Sequence, residues 1–128
     1  MTQKIIDSLA KAARGAMERA YAPYSGFRVG AALLGRSGVV YTGCNIENAS
    51  YSVTNCAERT ALFKAVSEGE REFDAIAIVS CSGKPTPPCG VCRQALAEFA
   101  PQLSVLLVFD GGVLETSLPE IFGMPFEL

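Results

Sequence analysis

The sequence predicts an α/β fold, a three-layer α/β/α sandwich on one five-stranded mixed sheet. Residues 75–79 and 105–109 are continuously apolar, which is typical of strands buried on both faces. Segments with helical periodicity alternate with the strands in the order αββαβαββ, which predicts helices on both faces of one sheet. Short turns at Ser37-Gly38 and Asp110-Gly111-Gly112 predict two hairpins, so that the last strand runs antiparallel to its neighbour.

The first half of the chain is predicted to form a helix and a hairpin. Residues 3–21 have apolar side chains at spacings of three and four, as in an amphipathic helix. Pro23 disfavours helical backbone before it and Gly26 supports a turn, so we expect the helix to end there. Strands are predicted at 27–36 and 39–45, and the polar stretch 45–55 is predicted to be a loop.

The second half is predicted to alternate helices and strands. In order, we expect a helix at 56–69, a strand at 73–80, a loop at 82–88, a helix at 90–99, strands at 103–109 and 113–116, one helical turn at 118–122 and a tail at 124–128. The strand-helix-strand-helix-strand core is predicted to be parallel and buried. Ligands bind at the carboxyl ends of such strands, where both groups of cysteines described below begin helices.

Length and composition restrict the possible classes of protein. With 128 residues, 49% of them hydrophobic and 19% charged, the chain is predicted to form one globular domain over residues 1–128. The net charge of −2 and the absence of basic runs argue against nucleic acid as a partner. The apolar runs are too short to span a bilayer, and residues 1–10 lack a secretory signal, so a cytoplasmic location is predicted.

The chain contains no histidine and five cysteines. Histidine-based metal sites, Ser-His-Asp triads and Cys-His dyads are therefore excluded. An odd number of cysteines in a reducing compartment favours metal binding or catalysis over a set of disulfides. Any zinc must be held by cysteine, with or without a carboxylate.

Three cysteines and one glutamate form the candidate site. Cys56 begins a predicted helix, and Cys89 and Cys92 form a C-x-x-C pair at the start of the next helix. Thiolates bind zinc, and helix N-termini lower the pKa of a thiol. Because three protein ligands leave one tetrahedral position open, the pattern predicts a catalytic zinc. Glu58 follows Cys56 by two residues, where it is placed to take a proton from zinc-bound water.

Three thiolates around Zn²⁺ leave a net charge of −1, which weakens the metal's effect on a bound water. Arg59 and Arg93 closely follow the cysteines. We expect Arg59 to donate hydrogen bonds to the sulfurs, whereas Arg93 is equally compatible with an exposed position. Cys44 and Cys81 end apolar strands and are interpreted as small buried apolar side chains, although either is also a candidate fourth ligand.

Cys56-Ala57-Glu58 followed by Pro88-Cys89-x-x-Cys92 resembles the zinc-dependent cytidine deaminases, specifically the small type with three zinc-binding cysteines. Segments 24–32 and 43–51 are similar to the nucleoside-binding segments of that family, so the resemblance runs nearly end to end. It implies one Zn²⁺ per subunit, held by Cys56, Cys89 and Cys92. It also implies that Glu58 carries protons during hydrolytic deamination of cytidine and 2′-deoxycytidine to the uridines and ammonia, as in pyrimidine salvage.

The resemblance also implies roles for residues around the zinc. Substrate-binding roles fall on Phe27, Asn45, Glu47, Ala57 and Phe126. Asn45 and Glu47 are expected to bind the ribose hydroxyls, since an amide and a carboxylate two residues apart on an extended segment suit a diol. Phe126 is expected to reach a neighbour's site in a homotetramer with shared active sites. Arg59 and Gln94 are expected to support the zinc thiolates from behind.

Four alternative functions remain open at this stage. The first is deamination of a cytosine nucleoside antibiotic such as blasticidin S. Nucleic-acid editing is disfavoured by the acidic balance and by the antiparallel last strand. A non-catalytic zinc module would need a fourth cysteine ligand to seal the site, and a redox protein using Cys89 and Cys92 would leave Cys56 and Glu58 unexplained. Ribose or deoxyribose preference is not decided by the sequence.

Overall fold

A computed structural model describes residues 1–128. Its elements are α1 (Gln3–Met17), β1 (Val29–Gly35), β2 (Val40–Cys44), a 3₁₀ turn (Tyr51–Val53), α2 (Ala57–Ser67), β3 (Phe73–Ser80), α3 (Gly90–Phe99), β4 (Ser104–Phe109), β5 (Gly112–Ser117) and α4 (Leu118–Ile121). None of the helices has the length and apolar character needed to cross a membrane.

The five strands form one mixed sheet in the order β2-β1-β3-β4-β5. Strands β3 and β4 pair in parallel, and the other neighbours pair antiparallel, including β4 with β5. The predicted fold class and the antiparallel last strand are thus confirmed.

The prediction of a parallel, buried strand-helix-strand-helix-strand core is only partly correct. Strand β1 lies between β2 and β3, so β2 is an edge strand and only partly buried. The physical reason is composition. The apolar side chains of β1 tolerate burial on both faces, whereas β2 carries Tyr41 and Thr42.

Helices cover both faces of the sheet, as predicted. On one face, α1 packs Leu9 and Ala13 against strand residues such as Ala77 and Leu106. On the other face, α2 and α3 pack Leu62 and Leu96 into a cluster of alternate strand residues, among them Leu33, Ile76 and Leu107. The period-two alternation of side chains along each strand produces this division into two cores.

Helix α1 ends at Met17, earlier than the predicted boundary at residue 21. The backbone N–H groups of Arg19 and Ala20 donate to carbonyls three residues back, at 3.0 and 3.1 Å, which forms a turn. Tyr21 then forms an isolated bridge with Ile46. The segment after the turn thus takes part in a long-range strand contact, and local periodicity does not report such contacts.

Helix α2 lies directly on the backbone of β2 at Gly43. A Cβ atom at Gly43 would lie 2.5 Å from the Ala57 carbonyl oxygen and 2.5 Å from the Ala61 nitrogen. Glycine permits this approach because it has no side chain. The packing sets the position of the first turn of α2, which carries Glu58.

Candidate active site

The three motif cysteines meet at the N-termini of two helices. Cys56 is the N-cap of α2, Cys89 is the N-cap of α3, and Cys92 lies in the first turn of α3. Neither N-cap side chain bonds to its own helix, so both sulfurs are available to a metal. All three Sγ atoms lie within 4.8 Å of one another, and those of Cys56 and Cys89 are 3.9 Å apart.

These sulfur positions fit a tetrahedral zinc. Zinc–sulfur bonds of about 2.3 Å in tetrahedral geometry separate neighbouring sulfurs by about 3.8 Å. The 3.9 Å separation of Cys56 and Cys89 matches that value. The metal-binding cluster contains neither Cys44 nor Cys81, so it has three thiol ligands and one coordination position left for a water or a substrate.

The thiols are polarised even without the metal's charge. The hydrogen bond with Cys92 lowers the pKa of Cys56 to about 5, and Arg59 contributes in the same direction. The same hydrogen bond with Cys56 raises the pKa of Cys92. Since zinc binding requires thiolates, uptake of the metal releases the remaining protons.

Arg59 contacts the cluster from the side of α2. Its Nη2 atom lies 3.2 Å from the Cys56 sulfur, which is the contact expected from the sequence. Its Nε atom is buried and has no hydrogen-bond partner. A buried N–H donor without a partner is costly, and this one belongs to the guanidinium that already contacts the thiols.

Glu58 is buried beside the thiols, with 5% of its surface exposed. Burial raises the pKa of Glu58 to about 7. A carboxyl group with such a pKa can accept and donate a proton near neutral pH, as a proton carrier must.

A cavity of about 240 Å³ lies beside Glu58, Cys56 and Cys89. Its lining residues are Phe27, Val29, Asn45, Thr54, Asn55, Cys56, Ala57, Glu58, Thr86, Pro87 and Cys89. Of the site residues predicted from the sequence, this cavity is lined by Phe27, Asn45, Cys56, Ala57, Glu58 and Cys89. Cys92 and Arg59 contact its cysteines, whereas Glu47, Gln94 and Phe126 are not part of its lining. Thr54, Asn55, Thr86 and Pro87 carry no chemical motif of their own, and the one signal for Thr86 and Pro87 is that they directly precede the second cysteine motif.

Asn45 and Glu47 line two adjoining cavities that share Thr54. The Asn45 Nδ2 atom donates to the Phe27 carbonyl at 2.7 Å, and its Oδ1 atom accepts from the Val29 N–H at 2.8 Å. These two bonds fix the Asn45 amide against the start of β1, through contacts across 16 and 18 positions of the chain that no local sequence pattern indicates.

Glu47 lies in the second cavity, of about 400 Å³. It accepts hydrogen bonds from the N–H groups of Tyr24, at 2.9 Å, and Ser25, at 3.1 Å, and from the Ser25 hydroxyl. The bond from the Ser25 side chain is the main reason that the pKa of Glu47 lies below its usual value. Glu47 is therefore held as a carboxylate.

Arg93 and Gln94 bind the C-terminal segment instead of the sulfurs. Arg93 donates from Nε to the Pro88 carbonyl and from Nη1 to the Ile121 carbonyl, both at 2.8 Å. Gln94 donates to the Phe126 carbonyl at 3.1 Å and accepts from the Phe126 N–H at 2.9 Å. The Phe126 side chain itself is exposed.

Cys81 differs from the expected small buried side chain. It is exposed, and its sulfur accepts a hydrogen bond from the Arg28 N–H at 3.3 Å. The residue follows the end of β3 by one position, where the chain has already left the buried sheet. Cys44 is half-buried.

The model of the cytidine and deoxycytidylate deaminase zinc-binding region matches residues 3–108 of the chain. The chain belongs to this deaminase family. A cytidine deaminase of Halalkalibacterium halodurans is 62% identical over 115 residues, which are 88% of this chain and 87% of the relative. A blasticidin-S deaminase of Bacillus cereus is 32% identical over 106 residues, covering 77% of this chain and 76% of the relative.

Solved structures of the family share the fold. The crystal structure of cytidine deaminase from Burkholderia pseudomallei is 48% identical, covers 98% of this chain and 100% of its own, and has a TM-score of 0.89. The cytidine deaminase from Mycobacterium tuberculosis is 37% identical, with a TM-score of 0.84 over 95% of this chain and 97% of its own. The three-cysteine cluster of this family member is a zinc site.

Proposed function

We propose that this deaminase hydrolyses cytidine and 2′-deoxycytidine to uridine and 2′-deoxyuridine, with release of ammonia. The observation that carries the proposal is a cavity lined by the buried Glu58 and by two cysteines of the three-thiol cluster. The high identity to cytidine deaminases supports the choice of substrate.

Cys56, Cys89 and Cys92 would hold the zinc. When bound, zinc supplies a water whose pKa is lowered to about 7, which makes hydroxide available at neutral pH. Arg59 lies against the Cys56 sulfur and offsets part of the thiolate charge. This offset keeps the site electron-poor enough for that acidification.

Glu58 is the proton carrier. Its carboxylate takes the proton from the attacking water and delivers it to N3 of the cytosine ring as C4 gains the oxygen. A second proton then passes through Glu58 from that oxygen to the departing amine, so ammonia leaves and a carbonyl remains at C4. Water is consumed and ammonia formed in equal numbers. A pKa near 7 suits a group that acts first as base and then as acid.

The nucleoside would lie along the two adjoining cavities. Phe27 packs on the base or the sugar, and Ala57 lines the cavity at the start of α2. Asn45 retains one amide hydrogen and one acceptor position beyond its two backbone bonds, and Glu47 retains acceptor capacity beyond its three bonds. These free positions are the proposed partners of the ribose hydroxyls.

Four subunits would assemble, with Phe126 of each reaching a neighbouring site. The exposed Phe126 side chain, on a backbone held by Gln94, supports this arrangement. We also propose a cytoplasmic location, because the three zinc-binding thiols must stay reduced and the cytoplasm keeps thiols reduced. With cytidine and deoxycytidine as substrates, the enzyme would act in pyrimidine salvage.

An ultraviolet assay with cytidine, deoxycytidine, adenosine and blasticidin S tests the proposal. We expect turnover of cytidine and deoxycytidine and none of adenosine. Blasticidin S is included because of the 32% identical blasticidin-S deaminase. If the enzyme turned over blasticidin S but neither cytidine nor deoxycytidine, the proposed substrate would be wrong.

The variant Glu58→Gln tests the proton carrier. The amide keeps the shape of the side chain but cannot act as a proton carrier, so kcat should fall by about 10²- to 10⁴-fold. Zinc content, measured by atomic absorption, should stay at the wild-type level. Equal activity in wild type and variant would exclude the role of Glu58.

A further inference from the structure

Ser80 is one of three buried polar residues of the chain. It is 3% exposed, compared with 9% for Asn45 and 5% for Glu58. The other two belong to the proposed site, whereas the function proposed above gives Ser80 no role. It ends β3, and its Cα atom pairs with that of Val29, which lines the cavity.

Ser80 forms a hydroxyl cluster with Ser82 and Thr86. The Ser80 Oγ atom lies 2.8 Å from the Ser82 Oγ and 2.5 Å from the Thr86 Oγ1. The Thr86 hydroxyl donates to the Lys84 carbonyl at 3.2 Å. Because each hydroxyl has one proton, Ser80 then donates to Thr86. The Ser82 hydroxyl has two acceptors, the Ser80 Oγ at 2.8 Å and the Lys84 carbonyl at 3.5 Å. Ser80 is thus the central member of the cluster, bonded to Ser82 on one side and to Thr86 on the other.

The hydroxyl cluster acts on the second half of the loop between β3 and α3. The first half, which carries Ser82, has a support outside the cluster as well, because the Asp110 N–H donates to the Gly83 carbonyl at 3.1 Å. Thr86 and Pro87 then form part of the cavity wall. Beyond them, the Arg93 side chain holds the Pro88 carbonyl. The wall formed by Thr86 and Pro87 is therefore held by the hydroxyl cluster, whereas the segment that leads to Cys89 is held by Arg93.

We infer that Ser80 is a positioning residue for the substrate, acting through the Thr86 hydroxyl to hold the wall formed by Thr86 and Pro87. The inference rests on the proposed function. Because Arg93 and α3 hold the following segment with Cys89 and Cys92, loss of the hydroxyl cluster should move the wall and leave the metal ligands in place. Substrate binding should weaken while zinc content and the chemical step persist.

Two variants test the role of the cluster in the zinc-loaded enzyme. Ser80→Ala removes the central hydroxyl, and Thr86→Val removes the terminal hydroxyl at nearly constant shape. Each should raise KM for cytidine about fivefold to tenfold, with kcat and zinc content within about twofold of wild type. The double variant should raise KM no more than the larger single effect, because both changes break one chain of hydrogen bonds.

Ser67→Ala is the matched control. Its hydroxyl bonds to the Lys64 carbonyl at 2.8 Å, at the end of α2 away from the cavity, so its KM should equal that of wild type. The inference would be overturned if KM were unchanged in Thr86→Val. It would also be overturned if the increase in KM of the double variant were the product of the two single increases. A fall in zinc content or thermal midpoint without a change in KM would also overturn it. If Ser80→Ala does not fold, Thr86→Val alone decides. An inactive wild type would instead refute the proposed function.

Discussion

Arg59 and Glu58 are neighbours in the first turn of α2, and each is placed to solve a different problem of an all-thiolate zinc site. Three thiolates donate more charge than the metal carries, and Arg59 lies 3.2 Å from one of the sulfurs. Glu58 is kept near its titration point by burial. A guanidinium suits this position because it stays charged at all relevant pH values, whereas an ammonium group loses its charge more readily when it is buried.

Replacing Arg59 by Gln should lower kcat or zinc affinity by about 10- to 100-fold, because the thiolates lose a donor and a positive charge. The measurement is steady-state kinetics together with a competitive zinc titration. Arg71→Gln is the control, since the Arg71 Nη1 atom bonds to the backbone carbonyls of Val66, in the last turn of α2, and of Glu70, just beyond it, at the end of the helix away from the cysteines. Wild-type kinetics and zinc affinity in Arg59→Gln would contradict the role of Arg59.

Glu47 provides a test through pH. Its folded pKa lies below the usual value of 4.5, so the carboxylate stabilises the fold above about pH 4.5 and this contribution disappears as pH falls through the lower folded pKa. The difference in thermal midpoint between wild type and Glu47→Gln should therefore be constant from neutral pH to about pH 5.5 and shrink below the usual pKa. Loss of zinc at low pH affects both proteins and cancels in the difference. A difference that grows on acidification would show the opposite sign of the shift.

At the scale of elements, both zinc-binding helices start beside the same end of the sheet. Helix α2 is positioned by its contact with β2 at Gly43, and α1 has a matching contact on the other face at Gly30. A Cβ atom at Gly30 would lie 2.1 Å from the Ala13 carbonyl oxygen. The two glycines thus support different layers of the sandwich.

This pair of glycines separates stability from catalysis. Gly43→Ala and Gly30→Ala should each lower the free energy of unfolding by about 1–3 kcal/mol, because backbone must move to admit the methyl group. Only Gly43→Ala should also lower kcat, since it displaces the turn that carries Cys56 and Glu58. Chemical denaturation and kinetics per zinc-loaded subunit measure the two effects. An equal loss of kcat in both variants would contradict the prediction that only the contact of Gly43 with α2 positions the catalytic turn.

At the scale of the whole molecule, the C-terminal segment is fastened to the helix that carries two zinc ligands. Arg93 and Gln94 directly follow Cys92 and hold the carbonyls of Ile121 and Phe126. The proposed tetramer would use this fastening to aim Phe126 of one subunit at the site of another. Zinc binding and the position of the tail then depend on the same helix.

Deleting residues 125–128 should raise KM for cytidine, because each site loses the Phe126 of a neighbour. Mixing tests whether this contribution crosses between subunits. Subunits with Glu58→Gln but an intact tail, coassembled with tail-deleted subunits, should restore low KM at the active Glu58 sites. Sedimentation velocity measures the assembly, and reassembled tail-deleted enzyme is the control. Unchanged kinetics after the deletion would exclude Phe126 from the site.

Helix and strand positions and the zinc ligands were predictable because their signals are local. Cys56, Cys89 and Cys92 occur at helix starts with spacings that let sulfurs converge, and the structure places them within 4.8 Å of one another. The apolar segments that became β3 and β4 were recognised for the same reason. The early end of α1 at Met17 was not, because a bridge between Tyr21 and Ile46 contributes to it.

The sequence by itself determined the α/β class, the three thiol ligands and the carboxyl group beside them, since each depends on residue type and short spacing. Only the tertiary structure decided which strand lies in the middle of the sheet. It also decided that Asn45 bonds to β1, that Arg93 and Gln94 serve the tail, and that Ser80 joins the loop. The physical reason is that hydrogen-bond partners and strand neighbours are set by distances in space, and these distances exist only after the layers have packed.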